Sequence, residues 1–98
     1  MSPLRFHPDV QQELRDAYLW FESNAEGLGE DLLQELDQSY LVIQQIPMTW
    51  PAVAPGIRRY LLKRFPYGVL YKVDDQGIQV VAIMHLSRRP GYWQKRVQ

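Results

Sequence analysis

Hydrophobic positions along the chain switch between two periods. Leu4 and Phe6 alternate with Arg5 and His7, which predicts a short strand closed by Pro8. Pro8 suits a first helical turn, where its missing N–H is no loss, and Asp9 complements the positive end of the helix dipole. Val10, Leu14, Ala17, Tyr18 and Phe21 then fall on one stripe of a helix, which the glycines within Asn24 to Gly29 bring to an end. A second stripe, Leu33, Leu36, Tyr40 and Ile43, flanked by Leu32 and Ile46, runs to Pro47. The two stripes predict an antiparallel helical hairpin.

Pro47 to Gly56 holds three prolines and a glycine and predicts a connecting loop with no regular element. Beyond it the period falls to two. Ile57 to Phe65 alternates, Pro66 and Tyr67 make a tight turn, and Val69 to Val73 alternates again. Asp74 to Gly77 is a hairpin turn, and Ile78 to His85 is the last strand. The order is β-α-α-β-β-β, an α+β fold in which the helical hairpin packs on one face of an antiparallel sheet.

Strand parity then sorts the sheet residues. Ile78, Val80, Ala82 and Met84 are uniformly apolar and are expected to face the helices, together with Val69, Tyr71, Val73, Tyr60 and Leu62. The opposite face is left with Leu61, Leu70, Val81 and Ile83 at its centre, and Arg59, Lys63, Lys72 and His85 around them. An apolar patch with a cationic rim fits an acidic, amphipathic peptide or helix. The competing reading is that the C-terminal tail folds back over this face, or that the chain dimerises through it. If the face is bare, a charge at Leu70 or Ile83 should weaken partner binding far more than it lowers the melting temperature.

Length and composition narrow the function. A chain of 98 residues, 46% hydrophobic and 22% charged, is expected to be one globular domain spanning 1–98. The absence of cysteine removes thiolate metal sites and cysteine nucleophiles, and His7 and His85 alone make a transition-metal site improbable, so neither metal nor cofactor is expected. No apolar stretch reaches the roughly 20 residues of a membrane span, and the N-terminus lacks the apolar core of a signal peptide. A cytoplasmic location is the resulting expectation. Charge is zero overall but segregated: residues 1–50 carry nine acidic side chains against two basic ones, and residues 51–98 reverse those counts. An anionic partner is therefore compatible with a neutral chain.

The stretch "RRYLLKRFPYGVLYKV" followed by "VVAIMHLSRRPGYW", with "FHPDVQQELRDAYLWFE" and "GLGEDLLQELD" before it, resembles the RelE/ParE superfamily of toxins from type II toxin-antitoxin modules. The likeness covers nearly the whole chain, and the ParE-like subgroup is favoured. It implies the β-α-α-β-β-β fold and a cognate antitoxin whose acidic, amphipathic C-terminal segment wraps the toxin. ParE-like members inhibit DNA gyrase, whereas RelE-like members are ribosome-dependent endoribonucleases that cut mRNA with basic and tyrosine side chains. The nuclease pattern is incomplete here. Gly68 stands where those enzymes place an arginine, and their pair of lysines falls on Arg59 and Leu61, while Arg88 and Tyr92 have counterparts. Removing one charge-stabilising donor typically costs about a hundredfold or more in rate. The implied function is thus a toxin that binds gyrase; the alternatives are an mRNA endoribonuclease and a non-toxic relative that only binds antitoxin.

Each candidate side chain has two readings. Under the nuclease alternative His85, Arg88, Tyr92, Arg59 and Lys63 carry the chemistry, His85 as general acid or base. Alternatively, His85 only bonds a loop carbonyl, and Tyr92 and Trp93 pack on a core. For binding of antitoxin or target the candidates are Leu61, Leu70, Lys72, Val81, Ile83 and Arg89, the last able to clamp a carboxylate. Arg58 and Arg64 have core-side parity and are placed to bridge helix carboxylates, and Trp50 to plug the end of the hairpin.

Overall fold

The computed structural model describes residues 2–97. β1 (Leu4–Phe6), α1 (Val10–Asn24), α2 (Leu28–Gln45), β2 (Ala52–Ala54), β3 (Ile57–Leu61), β4 (Tyr67–Asp74) and β5 (Gly77–His85) follow in that order, and a short 3-10 turn covers Gln94–Val97. One five-stranded sheet results, ordered β1-β5-β4-β3-β2. Its architecture is α+β, as the pattern of periods predicts, but the sheet is mixed rather than antiparallel throughout. β1 lies parallel to β5, with Leu4 opposite Ile78 and Phe6 opposite Val80. Parallel neighbours need a long connection, and here both helices and three strands intervene.

The proline segment is not a plain loop. Ala52 to Ala54 pairs with β3 through Ala52–Arg58 and Ala54–Ile57, with a register shift between the two pairs. Pro51 and Pro55 flank a strand at the sheet's edge, where a missing N–H disturbs no ladder, so the prolines conceal the strand without forbidding it. Arg58 organises the rest of the segment by donating to the carbonyls of Trp50 (2.6 Å) and Met48 (3.2 Å). Trp50 itself packs edge-on against Tyr60, 4.7 Å between ring centroids.

β3 ends at Leu61, four residues before the expected limit. The N–H groups of Lys63 and Arg64 leave the ladder and donate to the Glu35 carboxylate of α2. Arg64 also reaches Asp31 at 3.2 Å, the helix bridge that its parity predicted. β4 begins two residues earlier than expected, at Tyr67.

Between helices and sheet lies the larger core layer. Val10 and Ala17 of α1 and Leu32, Leu36 and Ile43 of α2 pack on Val69, Tyr71, Ile78, Val80 and Ile83 of the strands. Ser39 is buried among them and satisfies its hydroxyl on the Leu36 carbonyl. The hairpin turn is held by Glu22, whose two oxygens receive the N–H groups of Gly27 and Gly29 at 2.9 Å. At the other end the Tyr71 hydroxyl donates to the Pro47 carbonyl, and burial pushes its pKa up to about 12. Gly29 sets the closest approach of the helices: a β-carbon there would lie 2.8 Å from the Tyr18 ring and 2.9 Å from the Tyr18 carbonyl oxygen. Because a backbone atom cannot rotate away, Gly29→Ala should cost about 1–3 kcal/mol in urea unfolding. An unchanged midpoint would mean that the helices part freely.

Candidate functional site

The face expected to be bare is covered, and a single extra residue in β5 explains much of the difference. Tyr71 of β4 pairs with Val80, but Leu70 pairs with Ala82, so Val81 has no partner. Such a bulge reverses the parity of every residue after it. Ala82 and Met84, expected under the helices, instead join Leu70, Val81 and Ile57 on the far face. Ile83, expected on the far face, turns into the helix-side core.

That far face has its own cover. Trp93 is buried against Leu70, Val81, Ala82 and Met84, with Tyr92, Val97 and Ala54 packed alongside. The competing sequence reading, a tail folded back over the sheet, is what the structure shows. Leu70, Val81 and Ile83 are 1%, 0% and 2% exposed, so the expectation of an accessible apolar centre is corrected for all three. Leu61 alone of the four remains open, at 48%.

The tail is fastened by a largely buried carboxylate. Glu13 lies three residues after Val10 and four before Ala17, inside the apolar stripe of α1. Its oxygens receive the backbone N–H of Ile83 (3.0 Å), both terminal nitrogens of Arg96 (3.0 and 3.1 Å) and the hydroxyl of Tyr92. Arg96 also donates to the Val81 carbonyl at 3.0 Å and lies 3.5 Å from Asp9. β1 stops at Phe6, opposite Val80. Glu13 and Arg96 therefore take up the next acceptor and donor positions along the edge of β5, in place of a longer strand. Burial first, and then the bond to Glu13, raises the Tyr92 hydroxyl well above its ordinary pKa. Neither Glu13 nor Arg96 was among the residues singled out from the sequence, although a carboxylate within an apolar stripe was a signal.

Of the five candidate catalytic residues, Lys63 stands apart from the rest, and Tyr92 is tied up in other bonds. Arg88 stacks on Tyr92, 4.0 Å from its ring centroid, but the Tyr92 hydroxyl is committed to Glu13. His85 Nδ1 contacts both the N–H (3.0 Å) and the hydroxyl (2.7 Å) of Ser87, and its ring meets Tyr67 edge-on. Lys63 borders a groove against Asp31, Glu35 and Gln38 of α2. Arg59 lies in a different cleft, of about 160 Å³, walled by Val53, Leu70, Met84, Pro90, Gly91 and Trp93, next to the segment that carries Arg88 and Tyr92. Of the remaining binding candidates Lys72 is half-buried and Arg89 exposed. No group of three or more metal-ligating side chains occurs among the described residues. Nor is any described helix long and apolar enough to cross a membrane.

Residues 4–90 match a family model described as the ParE toxin of type II toxin-antitoxin system, parDE. The match stops short of Tyr92, Trp93 and Arg96, the residues that close the tail. Toxin ParE2 of Mycobacterium tuberculosis, in strains CDC 1551 and H37Rv, is 28% identical over 92 residues, covering 89% of this chain and 84% of the relative. Among solved structures, the chromosomal ParDE system from P. aeruginosa superposes with a TM-score of 0.76 at 21% identity, over 89% of this chain and 98% of that one. The isolated E. coli RelE toxin superposes with a TM-score of 0.65 at 18% identity, over the full length of both chains.

Proposed function

The chain belongs to the ParE family of type II toxin-antitoxin toxins, and from that premise we propose that it acts by binding protein, with DNA gyrase as its target. A cognate antitoxin bearing an acidic, amphipathic C-terminal segment would neutralise it. The observation that carries this reading is the incompleteness of the set of groups an mRNA nuclease would need. Gly68 supplies no cation, Leu61 supplies none, and Lys63 and Arg59 line different clefts. Tyr92, with its hydroxyl bonded to a carboxylate and its pKa raised, is a poor proton acceptor for phosphoryl chemistry. The accessible part of the predicted binding set, Leu61, Lys72 and Arg89, combines one exposed apolar side chain with cations. That combination suits an acidic partner.

Two assays test the reading: supercoiling by purified gyrase, and mRNA cleavage on programmed ribosomes, each with the purified chain added. Loss of supercoiling with intact mRNA is expected. Cleavage that Arg88→Ala abolishes, with supercoiling untouched, would make the chain a ribosome-dependent endoribonuclease instead. Inactivity in both assays, with retained antitoxin binding, would mark a non-toxic relative.

A further inference from the structure

Arg59 differs from the arginines of this chain that are paired. Arg5, Arg64 and Arg96 each meet a carboxylate, whereas no ion pair to Arg59 forms among the described residues. Its Nε is buried and has no hydrogen-bond partner. An unmatched buried donor is costly, and a charged one more so. The stem, moreover, is fixed rather than free. A β-carbon built on Gly68 would sit 3.1 Å from both Cγ and Cδ of Arg59, so the methylenes lie directly on the backbone of β4. Glycine at position 68 thus makes room for Arg59 to lie flat.

The cleft that Arg59 enters carries no other charge: its remaining walls include Val53, Leu70, Met84, Pro90 and Trp93. We infer that this cleft receives a carboxylate on a short aliphatic stem, a glutamate side chain of an acidic partner segment, with Arg59 as its donor. The two terminal nitrogens of the guanidinium, which are not buried as Nε is, match the two oxygens of a carboxylate, and the apolar walls match the methylenes. A nucleic-acid backbone fits less well, because binding a run of phosphates needs several cations in register, and this narrow cleft has one. The inference rests on the reading of the chain as a binder of an acidic protein partner and names one contact of that surface.

Titration of the purified chain with the peptide acetyl-Leu-Glu-Leu-amide, followed by NMR at the Arg59 Nε–H and Trp93 indole N–H, tests it. Both resonances should move saturably. The glutamine version should bind about tenfold more weakly or worse, since it loses a charge-assisted bond. Arg59→Met and Arg59→Gln should each abolish the Trp93 response while leaving the thermal unfolding curve in place. Equal responses to the two peptides, no saturable response to the glutamate peptide, a response to the dinucleotide UpA alone, or a glutamate response that survives both variants would each overturn the assignment. The wild-type comparison stands even if a variant fails to fold. Because the readout needs neither gyrase nor antitoxin, a chain that inhibits gyrase but ignores the peptide overturns the cleft alone. One that binds the peptide without touching gyrase overturns only the target.

Discussion

Glu13→Ala should lower the midpoint of thermal unfolding by about 15 °C or more, a large loss for one side chain on a helix. The Glu13 and Arg96 side chains are only 11% and 12% exposed. Removing one partner of a buried ion pair typically costs about 3–5 kcal/mol, because the other charge stays desolvated. In a domain of this size each kcal/mol is worth roughly 4–8 °C. Three groups lose their acceptor together: the Arg96 guanidinium, the Tyr92 hydroxyl and the Ile83 N–H at the bulge. Glu13→Gln keeps the shape and one oxygen, so it should lose about half as much. A double-mutant cycle with Arg96→Met should return a coupling on the order of 1–3 kcal/mol. A midpoint within about 3 °C of wild type, less than 1 kcal/mol, would show that the carboxylate is solvated and the tail held by Trp93 alone.

Much of the fold was legible because periodicity is a local property. Both helices, the order of the elements and the Asp74–Gly77 turn follow from spacing and turn residues within short windows. The bulge at Val81 was not legible: every residue from Ile78 to Met84 except Gln79 is apolar, so alternation offers no mark where one residue drops out of the count. A single uncounted residue was enough to exchange Ile83 with Ala82 and Met84 between faces. β2 was masked by its flanking prolines, which exclude an interior strand but not an edge one. The charge asymmetry, too, had a second meaning. Some of the acidic helical half turns inward on the basic half, through Asp9 and Glu13 with Arg96 and through Asp31 with Arg64. Glu13 within the stripe and a distant arginine were both visible in the sequence; their meeting was not, since 83 residues separate them.

Leu70→Asp and Ile83→Asp should both be severely destabilising, the reverse of what a bare sheet face predicts, and they should fail in different ways. Ile83 sits in the layer between helices and sheet, with no route for a carboxylate to reach water short of separating the two. Burying an unpaired charge there should cost about 4 kcal/mol or more, a large share of the 5–15 kcal/mol that holds a typical domain together. Global unfolding is the expected outcome, with the far-UV circular dichroism signal and amide protection lost in one step. Leu70 is covered from the other side, by Trp93 and its neighbours. An aspartate there can reach solvent if the tail lifts, so hydrogen exchange should accelerate first across residues 92–97 while the helix-side strands stay protected. Leu61→Asp, at an exposed position of the same face, should stay within about 0.5 kcal/mol of wild type. Were Leu70→Asp as harmless as Leu61→Asp, the tail would not cover the sheet in solution, and the open apolar face expected from strand parity would return at Leu70 and Val81.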